Sequence, residues 1–185
     1  MSTYNNLLDL ADTLIQENGY AGFSYADLAE RMGIRKASIH HHFPSKTDLG
    51  LAYCDKKTTG FHKLKNHIDT LPAGRTQLLA YLDAFSECVE KKQMCGVYAM
   101  LSDSNLFTPE LQEAVSLLAK VELRILSDIL EDGREAGQLH FQILAEDMAV
   151  IVCNAFKGAL MLNRTAPYEI HARTKVALLQ MLITE

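Results

Sequence analysis

Apolar residues recur along this chain at intervals of three and four, the period of helices that bury one side. Leu7, Ala11, Leu14 and Ile15 form the first such stripe and predict a helix over 4–18, ended by Gly19. A short loop then carries Tyr20 and Phe23, which are placed to plug a small core, and two brief runs follow between 23 and 46. A long helix is predicted over 46–68, with Leu49, Tyr53, Gly60, Leu64 and Ile68 on one seam that runs on to Leu71. Thr58, Thr59 and Gly60 are its weak point, because β-branched residues and glycine are poor helix formers. Pro72-Ala73-Gly74 breaks the chain, and Leu78, Leu79, Leu82, Phe85 and Val89 predict a single further helix over 75–93. The stretch 94–106 is apolar, small and irregular, and reads as a short helix lining a cavity. Thr108-Pro109 is a strong helix start, a capping hydroxyl followed by proline in the first position. The apolar period continues from there through Leu118, Val121, Leu126, Ile129 and Leu130 to about 137. Segment 145–163 is apolar almost all round, so it must be covered on more than one side. A last helix over 168–182 places Ile170, Thr174, Ala177, Leu178 and Met181 on one face. Predicted strand content is nil and no internal repeat shows, so the expected fold class is all-α, with about nine helices.

The run 23–46 stands apart from these amphipathic stretches. Ser24 and Asp27 have the spacing of a capping box, with aspartate in place of the usual glutamate or glutamine. Leu28, Ala29 and Met32 make a short inward stripe, Gly33 suits the left-handed residue that ends a helix, and Ile34 can anchor a turn. From Lys36 a second short run reaches Pro44 with Ile39 and Phe43 as its only large apolar residues. A helix held by two buried anchors, with a polar and cationic outer face, is what a helix-turn-helix places in a DNA major groove.

At Ser24, Asp27, Leu28, Ala29, Gly33, Ile34, Lys36, Ser38, Ile39, His42, Phe43, Ser45, Lys46 and Leu49 this segment resembles the DNA-binding domain of the TetR family of bacterial transcriptional regulators. The resemblance implies an N-terminal three-helix bundle over 1–47, with the helix-turn-helix at about 24–43. Residues 48–185 would then be a C-terminal helical domain for ligand binding and dimerisation. It further implies a regulator, usually a repressor, that binds a palindromic double-stranded operator as a homodimer and is released by a small-molecule effector. In the family the positions of Lys36, Ala37 and Ser38 open the recognition helix and meet base edges or phosphates, and Lys46 typically reaches a phosphate. Ser24, Arg35, His40 and His41 complete the expected DNA-binding set. Two positions depart from the family pattern: Arg35 replaces a small hydroxyl residue that caps the recognition helix, and His40 replaces an aromatic residue that touches the DNA backbone. Ala37 is small enough to meet a thymine methyl, and Arg35 has the fork that pairs with guanine. The last two helices resemble the pair that forms the family's four-helix dimer interface, with Ala155, Gly158, Ala159, Leu162, Thr174 and Leu178 expected there.

Charge at first argues against a DNA ligand, because the net formal charge is −5. Its distribution reverses the argument. Between Arg31 and Lys46 the chain has Arg31, Arg35, Lys36 and Lys46, three histidines and no acid, whereas Asp9, Asp12 and Glu17 lie on the first helix. Phosphates respond to the field within about one Debye length, ~8 Å at physiological salt, not to the whole-chain sum. Composition adds little else: 48% hydrophobic and 22% charged residues in a chain of 185 are ordinary for a globular protein with a sizeable core. No run approaches a membrane span, and the first ten residues lack the cationic start and apolar block of a signal peptide, so a cytoplasmic setting without membrane association is expected. The four cysteines, Cys54, Cys88, Cys95 and Cys153, are scattered, and reduced thiols are the default.

Other candidate chemistry is sparse. His40, His41 and His42 invite a metal reading, but consecutive helical residues point ~100° apart and cannot converge on one ion, so no metal or cofactor is expected. Phe85, Tyr98, Met100, Leu101, Leu118, Phe156 and Met161 are candidates for lining a ligand pocket, with Asn154 and Lys157 as polar anchors, against the plainer reading as core. Lys157 is the most suggestive of them, a lone cation in an apolar helix, unless it emerges at the dimer edge. Cys88 and Cys95, near Lys91 and Lys92, are candidate redox or electrophile sensors, against the plainer reading as buried thiols. No Ser-His-Asp set, HExxH, phosphate-binding glycine loop or placed carboxylate pair marks an enzyme, and Asp83, Glu87 and Glu90 read as a solvated face. An all-α ligand carrier or enzyme remains the rival class.

Overall fold

The structure, a computed structural model, describes residues 2–183. It is helical throughout that range: α1 (Thr3–Asn18), α2 (Tyr25–Met32), α3 (Lys36–His42), α4 (Lys46–Ile68), α5 (Arg75–Asp83), α6 (Ser86–Glu90), α7 (Gly96–Ser102), a 3-10 turn (Ser104–Leu106), α8 (Pro109–Glu135), α9 (Ala145–Leu162) and α10 (Ile170–Leu182). There is no strand among the described residues, and none of their helices is long and apolar enough to cross a membrane.

Contacts divide the chain into two compact units, Met1–Thr58 with Gly96–Leu118, and Thr59–Cys95 with Ala119–Glu185. The first is larger than the segment 1–47 anticipated from the pattern. Its extra pieces are the start of α4, α7, the 3-10 turn and the start of α8. Leu7, Leu8, Ala11, Leu14 and Ile15 of α1 are buried, as are Val97, Ala99 and Met100 of α7, Leu111 and Val115 of α8, and Leu49 and Tyr53 of α4. Gly50 lets α4 approach: a Cβ there would meet the Leu111 side chain and the Tyr20 hydroxyl. The boundary in α4 falls between Thr58 and Thr59, where helix propensity is lowest, although the helix itself is continuous.

In the second unit two expectations from periodicity change. The single helix over 75–93 is two, because the chain leaves the helix at Ala84 and Phe85 before α6 begins. Within one chain α9 buries Ala149, Val152, Cys153, Phe156, Ala159 and Leu160 and leaves Val150, Ile151, Met161 and Leu162 exposed. On α10 the inward residues are His171, Leu178 and Leu182, while Met181 is 64% exposed, so the buried face is turned from the expected one. Two tethers close this unit's chain end: the His140 N–H donates to the Leu182 carbonyl at 2.8 Å, and Lys175 on α10 pairs with Asp83.

Candidate nucleic-acid interface

The reading head is built by local chemistry. Ser24 caps α2: its hydroxyl accepts from the Ala26 N–H at 3.1 Å, and its own N–H donates to Asp27 Oδ2 at 2.7 Å. The Ser24 hydroxyl, which donates to Asp27 Oδ2 at 2.8 Å, and the Ser24 N–H hold the Asp27 carboxyl below its ordinary pKa. Gly33 ends α2 at φ +65°, the left-handed position, and the Ile34 N–H closes onto the Ala29 carbonyl at 3.0 Å. Arg35 then precedes α3 without any side-chain capping bond, as the loss of a hydroxyl at that position predicts. Ser45 and Asp48 repeat the capping arrangement at the start of α4, with the Ser45 N–H donating to Asp48 Oδ2 at 2.8 Å.

These caps fix α3 with Ile39 and Phe43 buried and with Arg35, Lys36, Ala37, Ser38, His40 and His41 exposed. Thr3, Ile34, Arg35, Ala37, Ser38, His41 and His42 line one groove on this face. The three histidines part company there. His40 lies against Tyr25, ring centroids 4.9 Å apart, with Nδ1 at 3.1 Å from the Pro44 carbonyl. Tyr25 in turn donates its hydroxyl to the Ser45 carbonyl at 2.6 Å, and burial pushes its pKa up to about 12. His42 turns edge-on to Tyr4 and shares the groove with His41.

Lys46 is placed differently from the phosphate contact expected of it. Its ammonium turns into the head, donating to the Tyr20 carbonyl at 2.5 Å and to the Phe23 carbonyl, and it lies over both rings at 4.7 and 4.3 Å. Burial lowers its pKa against the pull of Asp103 and Asp27. Arg31 pairs with Glu17 at 3.1 Å. Of the four cations counted in this stretch, Arg35 and Lys36 therefore remain on the α3 face. Replacing Lys46 with methionine is expected to cost about 1–2 kcal/mol of stability, the value of charge-assisted hydrogen bonds discounted for partial exposure. Thermal melting and the salt dependence of DNA binding check this. An unshifted melt with a salt slope flatter by about one would return Lys46 to a phosphate.

The first unit also seats the α1–α2 loop on residues far along the chain. Asp103 Oδ2 accepts from the Ala21 N–H at 2.9 Å, and Phe107 meets the Tyr20 ring edge-on at 4.9 Å. Nothing in the local pattern of the loop signals these partners.

The candidate pocket residues fall in different units. Tyr98, Met100, Leu101 and Leu118 belong to the first, and Phe85, Asn154, Phe156, Lys157 and Met161 to the second. Within the second, Phe85 and Lys157 meet, the ammonium lying 3.1 Å from the ring centroid, whereas Asn154 and Met161 are exposed. Lys157 does not reach the surface. Its Nζ stands 2.6 Å from Glu122 Oε1, with the two side chains 0% and 2% exposed. Burial works against this ammonium, but Cys95, Glu122 and Cys153 outweigh it and keep its pKa above the ordinary lysine value. Glu122 escaped sequence reasoning because it looks like any polar residue of an amphipathic helix, and its partner lies on another element. Of the candidate dimer residues Ala155 and Leu162 are exposed, Gly158 and Thr174 half-buried, and Ala159 and Leu178 buried. Cys95 is buried and Cys88 half-buried, and none of the four cysteines is in a disulfide.

Residues 7–53 match the profile of the bacterial regulatory proteins of the tetR family. The fatty acid metabolism regulator protein of Bacillus subtilis is 23% identical over 139 residues, 74% of this chain and 70% of that one. The biofilm operon icaADBC negative transcriptional regulator IcaR of Staphylococcus aureus is 40% identical over 45 residues, 24% of each chain. A TetR-family transcriptional regulator from Agrobacterium tumefaciens superposes with a TM-score of 0.90 at 26% identity, over 98% of this chain and 97% of that one. With the capped helix-turn-helix inside the matched segment and the described fold shared, the chain carries a tetR-type DNA-binding domain and has the fold of TetR-family transcriptional regulators.

Proposed function

We propose that the protein acts as a homodimer on a palindromic operator, represses transcription there, and is released by a small-molecule effector held in the second unit. The observation that carries this reading is the apolar face left open on α9 and α10. Val150, Ile151, Leu162, Val176 and Met181 are 44–64% exposed, a set that a monomer seldom leaves to water. A second copy covering that face sets two α3 helices on one DNA molecule, where palindromic half-sites lie about 34–36 Å apart. The negative regulation in IcaR's name agrees with repression. The proposed division of labour gives the first unit the DNA and the second the effector and the partner copy. Release follows only if the effector binds one arrangement of the dimer more tightly than the other. Arg35, Lys36, Ala37, Ser38 and His41 are the proposed DNA contacts. A sensor at Cys95 has less support, since that thiol is enclosed.

A gel shift on the DNA upstream of the protein's own coding region tests this. Lys36→Ala is expected to weaken binding to every sequence and to reduce the salt slope by about one, the mark of a lost phosphate contact. An unchanged slope removes Lys36 from the phosphates, and absence of any shifted complex removes that region as operator.

A further inference from the structure

The second unit buries two opposite charges that DNA binding does not use. One oxygen of Glu122 accepts from the Tyr81 hydroxyl at 3.0 Å and stands 2.6 Å from the Lys157 ammonium as an ion pair. The ammonium is less well served. Its Nζ pairs with Glu122 by charge but is aligned with no hydrogen-bond acceptor, and the ring face of Phe85 lies 3.1 Å from it, Nζ to centroid. A ring face is a weaker acceptor than an oxygen. A buried ion pair is no more stabilising than apolar side chains of the same volume, so stability alone does not account for this one.

Phe85 is the member of the cluster that reaches solvent, whereas Tyr81, Glu122, Phe156 and Lys157 are buried. It stands outside both α5 and α6, so its side chain can rotate without unwinding a helix. Its ring meets Tyr81 at 5.5 Å and Phe156 at 5.9 Å, both edge-on. Beyond Phe156, at 4.7 Å, lies His171, whose buried Nε2 has no hydrogen-bond partner.

We propose that Phe85 is a gate occupying the seat of a small aromatic carboxylate. The ligand's ring takes the place of Phe85 between Tyr81 and Phe156, and its carboxylate accepts from the N–H donors of Lys157 that now face the ring. The ligand is aromatic because the seat is walled by two rings. It is anionic because the under-served group is a cation, while the buried carboxylate already takes the Tyr81 hydroxyl and pairs with the ammonium, and a cationic ligand would meet Lys157. This inference rests on the second unit being the effector-binding one, and it names the class of effector.

Benzoate is the probe and benzyl alcohol its uncharged counterpart, with binding measured calorimetrically on the full chain in the absence of DNA. The proteins compared are the wild type, Phe85→Ala, and Phe85→Ala/Glu122→Gln/Lys157→Met, which exchanges the ion pair for uncharged side chains of similar size. Benzoate is expected to bind the wild type, and to bind Phe85→Ala at least tenfold more tightly. In Phe85→Ala it should also exceed benzyl alcohol at least tenfold, and the triple variant should lose that preference. Absence of benzoate binding to the wild type overturns the proposal, as does equal benzoate affinity in Phe85→Ala and the triple variant. Should the triple variant not melt cooperatively, the benzoate-to-benzyl-alcohol ratio in Phe85→Ala decides alone, and a ratio near one overturns it. A gel shift with benzoate separates the two readings: binding that leaves DNA affinity unchanged keeps the site and removes its effector role.

Discussion

Lys157→Met is expected to lower the stability of the protein by about 3–5 kcal/mol, because it leaves Glu122 buried with its charge partner gone. For a chain of this size that is a fall of roughly 10 °C in melting temperature, read at fixed protein concentration. The Glu122–Lys157 contact has neither side chain more than 2% exposed, so water cannot replace the lost ammonium. Tyr81 would remain as a donor to the carboxylate, but a neutral hydroxyl compensates only part of a charge. Adding Glu122→Gln to Lys157→Met removes the stranded charge and is expected to recover most of the loss. Equal melting temperatures for the single and double variants would show instead that the lysine stem matters for packing, not the charge at its end.

The second large effect concerns assembly. Leu162→Glu together with Val176→Glu is expected to convert the proposed dimer to a monomer and to weaken operator binding by roughly 10²–10⁴-fold, the avidity lost when two linked reading heads become one. Both side chains are more than half exposed, at 62% and 54%, so neither is needed to pack its own chain. Two carboxylates on an apolar self-contact carry a desolvation penalty and repel their symmetry mates. Light scattering and a gel shift check this, with a melting curve to show that the monomer is folded. A variant that stays dimeric would place the contact elsewhere.

What could be read in advance followed the range of the interactions. The head was legible because its determinants lie within a few residues of one another: the Ser24–Asp27 cap, the left-handed Gly33, and the Ile39 and Phe43 anchors one helical turn apart. Lys46 shows the limit of the same local logic. Its position at the start of α4 points to solvent in the pattern, and only the folded loop brings the Tyr20 and Phe23 carbonyls within its reach. The break at Ala84 and Phe85 carries neither glycine nor proline, and the apolar period runs straight through it. Phe85 therefore looked like one more inward residue when it is the half-buried edge of a buried cluster. Lys157 drew notice as a charge out of place, but a partner 35 positions away on another helix leaves no periodic trace.

The loop seat at Asp103 and Phe107 has a consequence for how such a regulator can be recombined. The head is assembled from two separated stretches, Met1–Thr58 and Gly96–Leu118. A chimaera that grafts only the N-terminal segment onto a relative's body would part Ala21 from Asp103, Tyr20 from Phe107, and Gly50 from the Leu111 it makes room for. The portable part is discontinuous in the gene. An exchange of operator specificity that keeps the head intact has either to carry both stretches or to confine itself to the exposed residues of α3.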